Sequence, residues 1–228
     1  MFEAVLFDWN NTLVQFTWDD DLLAEGHRSA LEAIGSTHDP AAFTESYRVV
    51  VLENATPDDD YGELLRTILG KLDDDQVDAF IDAEHETWMP AHQVLGSAHA
   101  LLEALRSRGI KTGVVANSWP EPARLLRRDA ETFGLADLLD VQVYSSEVGA
   151  RKPDPEIFLR ALAELGIDPL AAMFVGDGLE TDVAGAAHVG MTTVQALWFT
   201  ADDNPGTEPD FMAFTPMDVL NVVRRLAR

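Results

Sequence analysis

Cysteine is absent from the 228 residues, which excludes disulfides, thiolate metal sites and a cysteine nucleophile together. Basic residues are scarce: 16 lysines and arginines face 40 acids, for a net charge of −24, and only three of the bases are lysine. A chain this acidic repels nucleic acid and anionic membrane surfaces, so neither is an expected partner. Self-repulsion on that scale is tolerated where salt screens it, to a Debye length of about 3 Å at 1 M. A halophile's cytoplasm is the expected setting, and an acidic surface built for a basic partner is the rival explanation. The acids run through folded-looking sequence rather than gathering in a tail, which favours the first. Also missing are an apolar run near the roughly 20 residues that cross a bilayer and a basic N-terminal leader followed by an apolar stretch. The expectation is a soluble cytoplasmic protein.

Hydrophobic residues make up 46% of the chain, enough for a sizeable core. Apolar runs of strand length occur at 4–8 (AVLFD), 112–117 (TGVVAN), 141–146 (VQVYSS), 172–177 (AMFVGD) and 192–197 (TTVQAL). Segments of helical spacing lie between the later ones, at 98–108, 121–133, 154–165 and 180–188. Strands alternating with helices predict an α/β fold, a doubly wound parallel sheet of about five strands covered on both faces. Residues 15–92 are the exception, since no convincing strand appears there and apolar residues such as Leu22, Leu23, Ala30, Leu31 and Ile34 recur at helical spacing. The expected organisation is a core of 1–14 and 93–228 with a smaller all-helical insertion at 15–92. That insertion holds 19 acids against 4 bases, or −15 of the total, including acid triplets at 19–21, 58–60 and 73–75. Each triplet reads as a solvated face or a helix start. The segment MDVLNVVRRLAR predicts a final amphipathic helix.

In a parallel sheet, ligands bind beyond the carboxyl ends of the strands, near the point where strand order reverses. Three of the expected strands end there in polar residues: Asp8 after AVLF, Asn117 and Ser118 after GVVA, and Asp177 after MFVG. Taken singly, Asp8 reads equally as the cap of a following helix, and Asp182, in GDGLETD, as a first-turn helix acid. Together they are more informative, because carboxylates ending adjacent buried strands repel one another unless a cation lies between them. Oxygen ligands without cysteine or clustered histidine point to Mg²⁺. Lys152, in GARKPDPEIF, is one of so few lysines that its place on the loop before a Pro-capped helix stands out; an ammonium there balances carboxylates and a phosphate. Trp9 and Trp119 flank these positions, as core or as stacking surfaces. The six histidines, at 27, 38, 85, 92, 99 and 188, show no ligand spacing.

These four elements resemble the motifs of the haloacid dehalogenase superfamily of phosphohydrolases. The first is Asp8-Trp9-Asn10-Asn11-Thr12, close to the family's Asp-x-Asp-x-Thr; the others are GVVANS, Lys152 and the pair Asp177 and Asp182. The resemblance implies a Rossmann-like core with a helical cap inserted after the first motif. It implies a small phosphorylated substrate attacked by Asp8 to give an aspartyl-phosphate. Mg²⁺ is then expected on Asp8, the main-chain carbonyl of Asn10, Asp177 and Asp182. Lys152 pairs with Asp8 and the phosphoryl oxygens, and Asn117 and Ser118 are the nearest phosphate contacts of the second motif.

Two positions depart from the family pattern. Asn10 stands where phosphatases of the family carry an acid that protonates the leaving group and activates water, and losing such a group typically costs about 10²–10⁴ in rate. Ala116 stands where the second motif has a hydroxyl. Three functions follow: a slow or specialised phosphatase, a catalytically impaired relative that binds Mg²⁺ and a phosphorylated ligand, or a 2-haloacid dehalogenase. Dehalogenases share the first acid and lack the second, whereas the intact Asp177 and Asp182 pair argues for a metal.

Overall fold

A computed structural model describes residues 2–200, 202–204 and 207–226. Ala4–Phe7 forms β1, wholly buried because its four apolar side chains face helices on both sides of a parallel sheet. After the short β2 (Val14–Phe16) come four helices, α1 (Asp20–Ala33), α2 (Pro40–Tyr47), α3 (Tyr61–Leu69) and α4 (Asp74–Trp88). Then follow β3 (His92–Val94), α5 (Gly96–Arg106), β4 (Lys111–Ala116), α6 (Ala123–Thr132), β5 (Val141–Tyr144), α7 (Ser145–Val148) and α8 (Pro155–Leu165). The described chain closes with β6 (Ala172–Gly176), α9 (Gly185–His188), β7 (Thr192–Ala196), β8 (Phe211–Ala213) and α10 (Pro216–Leu226).

Six strands form one sheet in the order β5-β4-β1-β6-β7-β8, and all of its neighbouring strands pair in parallel. β1 lies in the middle, with Ala4–Phe7 opposite Lys111–Val114 on one side and Ala172–Val175 on the other. The chain winds outward from β1 first through β4 and β5 and then through β6, β7 and β8, so the order reverses beside β1. Leu6, Val115, Val143 and Phe174 from the sheet and Ile157, Phe158, Ala161 and Leu162 from α8 make one buried cluster.

The fold class is the one predicted, with two corrections. β8 adds a sixth strand where none was expected, and β2 and β3 pair as a two-stranded ribbon at the ends of the segment expected to be all-helical. Three-residue strands are too short to carry a period.

The chain divides into two compact units, one of residues 1–16, 93–118 and 126–228, the other of 17–92 with 119–125. The second includes seven residues that the expected boundaries gave to the core. Their side chains explain why: Arg124 pairs with Asp78 at 3.0 Å and with Asp82, Glu121 lies 3.2 Å from His85, and the Trp119 indole donates to the Asp59 carbonyl at 3.0 Å.

Within the helical unit the acid triplets are helix starts. Asp19 accepts from the N–H groups of Asp21 and Leu22, Asp60 from Glu63, and Asp73 from Gln76, whose side chain returns the bond to complete a capping box. The interior packs Leu23, Leu31, Phe43, Leu65 and Phe80 around a polar cluster. There, buried His27 meets Thr44 at 2.8 Å, and Tyr61 donates to Glu84 at 2.6 Å.

Candidate active site

Asp8 follows β1 directly, and its N–H donates to the Val175 carbonyl at 2.9 Å, which fixes it beside the end of β6. The chain then turns back sharply: Asn11 donates its N–H to the Val14 carbonyl at 2.7 Å, while Leu13 and Val14 both donate to the Trp9 carbonyl at 3.0 Å. Asn11 holds a left-handed φ of 55° in this turn, a conformation asparagine tolerates better than most side chains. Asn10 is carried to the surface by the same turn and bridges to Val14. Trp9 points the other way, into the core, 1% exposed.

Asp177 follows β6 as Asp8 follows β1. Gly176 before it is required by close approach, since a Cβ there would sit 2.6 Å from the Cβ of Asp182. The Asp182 carboxylate folds back over this turn and accepts from the Gly178 N–H at 3.0 Å. Residues in and after β7 brace the same region. Thr200 donates its hydroxyl to Asp177 at 2.9 Å, Asp202 accepts from the Leu179 N–H at 2.8 Å, and Gln195 donates to the Asp202 carbonyl at 2.7 Å. Sequence reasoning missed Thr200, Gln195 and Asp202, and no local pattern marks them, because each works through a partner remote in the chain or through loop geometry.

Lys152 reaches this acidic group from the loop between α7 and α8. Its Nζ lies 2.6 Å from Asp182 Oδ1 and is hydrogen-bonded to Asp8 Oδ1, with only 3% of the side chain exposed. Burial works against the ammonium, but Asp182 and Asp8 outweigh it and raise its pKa, so Lys152 stays charged. Burial pushes Asp8 up to about 7 even against the attraction of Lys152, with Asp182 and Asp177 adding to the rise. Burial also raises Asp177, opposed by the Thr200 hydroxyl.

Asp8, Asp177 and Asp182 each offer an oxygen within 4.8 Å of the others. One ammonium does not neutralise three carboxylates, and the donor set is all oxygen. That suits a small hard divalent cation, whose charge would oppose both the burial and the carboxylate repulsion that raise the Asp8 pKa.

Asn117 and Ser118 follow β4 and lie in this unit, yet their polar atoms are engaged within the protein. Asn117 accepts from the Lys152 N–H at 2.8 Å and donates to the Lys152 carbonyl at 3.1 Å. The Ser118 hydroxyl donates to Ser146 Oγ at 2.8 Å and accepts from the Ser146 N–H at 3.0 Å. It is 6% exposed.

Comparisons with known proteins agree with this geometry. A sequence model of haloacid dehalogenase-like hydrolases matches residues 2–190. A glyceraldehyde 3-phosphate phosphatase from Methanopyrus kandleri is 30% identical over 243 residues, spanning 100% of both chains. A ribulose-1,5-bisphosphate 5-phosphatase from Halopiger xanaduensis is 28% identical, over 91% of this chain and 89% of that one. Among solved structures, a HAD phosphatase from Thermococcus onnurineus superposes with a TM-score of 0.69 at 25% identity, over 97% of this chain and 98% of the other.

Proposed function

This chain belongs to the haloacid dehalogenase-like hydrolases, and from that premise we propose that it is a Mg²⁺-dependent phosphatase of small phosphorylated metabolites with Asp8 as nucleophile. The observation that carries the reading is the buried Lys152 ammonium shared between Asp8 and Asp182, with Asp177 beside them, at the carboxyl ends of neighbouring β1 and β6. An ammonium buried among carboxylates needs a function to justify its desolvation.

Asp8, the Asn10 main-chain carbonyl, Asp177 and Asp182 would hold the Mg²⁺, which when bound would supply positive charge to balance the negative charge of the phosphoryl oxygens. Asp8 attacks phosphorus; the bond from phosphorus to the leaving oxygen breaks, and its electron pair leaves on that oxygen. Lys152 pairs with the phosphoryl oxygens and holds the Asp8 carboxylate in line. Water then hydrolyses the aspartyl-phosphate and frees Asp8. Asn10 neither protonates the leaving oxygen nor takes a proton from water, so the protein is slow or specialised for leaving groups of low pKa. The relatives differ in the phosphate ester they are named for, so the reading stops at the substrate class.

Asn10 also supports a second reading, a protein that binds the cation and a phosphorylated ligand without turning it over. One experiment separates the two. Aryl phosphate is hydrolysed in the presence of Mg²⁺, with activity lost in Asp8→Ala and in EDTA, if the first holds. Absence of Asp8-dependent phosphate release leaves the second, and chloride release from a 2-haloacid in EDTA would replace both.

A further inference from the structure

The motif after β4 carries an asparagine whose whole amide group faces one residue. Asn117 Oδ1 accepts from the Lys152 N–H at 2.8 Å, and Asn117 Nδ2 donates to the Lys152 carbonyl at 3.1 Å. Donor and acceptor stand as the two backbone groups of a neighbouring strand residue would, so the side chain continues the ladder past the end of β4 and captures one residue of the α7–α8 loop. That loop has little other reason to stop there. It leaves α7 through Gly149, whose φ of 74° is left-handed, and it reaches α8 through Pro153, which has no N–H to give. Asp154 donates its N–H to the Arg151 carbonyl at 2.7 Å, closing a turn around Lys152 without touching its own backbone groups.

Lys152 is the residue whose position matters most in this loop. Its side chain is a flexible four-carbon stem, yet its Nζ must meet Asp8 and Asp182 together. Fixing the backbone at both of its polar groups removes the translation and tilt that would move the ammonium by an ångström or more.

We propose that Asn117 is the positioning residue of Lys152, clamping the lysine backbone so that its ammonium is held between Asp8 and Asp182. This deepens the phosphatase reading above and rests on it for its catalytic consequence. The clamp acts on the reaction only through Lys152, and it does not touch substrate.

The test uses the full chain and two variants, Asn117→Ala and the volume-matched Lys152→Met, separately and combined. With an aryl phosphate and Mg²⁺, Asn117→Ala lowers kcat about 10–100-fold, the usual loss for a residue that orients a catalytic group, while KM stays within about two-fold. Added to Lys152→Met, Asn117→Ala causes no further loss, because the residue it positions is already gone. Native-state amide exchange supplies a readout without turnover: the Lys152 N–H is protected in the parent and exchanges freely in Asn117→Ala, while the β4 amides of Gly113–Ala116 stay protected. A raised KM with kcat intact, a full additional loss in the double variant, or continued protection of the Lys152 N–H overturns the proposal. Failure of the parent to hydrolyse phosphate overturns the phosphatase reading alone, and the exchange measurement then decides the clamp.

Discussion

Lys152 Nζ lies 2.6 Å from Asp182 Oδ1 in a setting where both side chains are at most 3% exposed. Removing a single partner from such a pair leaves uncompensated charge in the interior, at a cost of about 3–5 kcal/mol. Lys152→Met is therefore expected to lower the unfolding free energy of the metal-free protein by that order in urea melts at constant salt. Added Mg²⁺ recovers part of the loss by taking over the charge balance. An unchanged midpoint in urea would mean that the ammonium is not needed to hold the carboxylates.

The raised Asp8 pKa gives a pH dependence of definite sign. Folding raises this carboxyl from its ordinary 3.8 to about 7, so the folded state binds the proton more tightly than the unfolded one. The resulting stability is complete below about pH 4 and is lost as pH rises through about 7. A cation competes with that proton. The rise in Tm on adding Mg²⁺ is thus expected to be larger at about pH 8 than at about pH 5.5, and to vanish at both in Asp177→Asn. Equal gains at the two pH values would contradict it.

Asn10→Asp restores an acid to an exposed position. Alkyl phosphates need their leaving oxygen protonated and aryl phosphates scarcely do. The variant should gain about 10²-fold or more on an alkyl phosphate and clearly less on an aryl one. Rapid-quench measurements on the unsubstituted chain should show a burst, with phosphoenzyme accumulating on Asp8 because the water step is unassisted. Matching gains on the two ester classes would refute the role assigned to residue 10.

Thr200 donates its hydroxyl to Asp177 of the cluster. Thr200→Val, which keeps the shape, is expected to weaken Mg²⁺ binding about 10-fold by titration calorimetry while leaving the metal-free Tm in place. An unaltered affinity would show that the hydroxyl does not orient the carboxylate.

How far the sequence alone reached follows from the physics of each feature. The buried strands β1, β4, β5, β6 and β7 announce themselves, since a strand covered on both faces is a continuous apolar run, and the acids ending β1 and β6 pointed to Asp8 and Asp177, with Asp182 five positions further on. β2, β3 and β8 did not, because three residues hold no period. The roles of Asn117 and Thr200 were invisible for a different reason. Each depends on which remote atom the fold brings within 3 Å or so, and two polar residues 23 or 35 positions apart carry no mark of their meeting. Asn10 and Asn11 were visible as letters, but the left-handed turn that separates a buried Asp8 from an exposed Asn10 was not.

β1 and β6 are neighbours in the middle of the sheet, each bonded to a strand on both sides. Amides in such a place exchange with solvent only when the whole unit unfolds. Asp8 and Asp177, set directly after those strands, are held by the same cooperative unit. If withdrawal of salt unfolds this chain of charge −24, metal binding and the sheet should be lost in one transition, with superimposable curves. Restored salt should return both on the timescale of refolding rather than of ion diffusion.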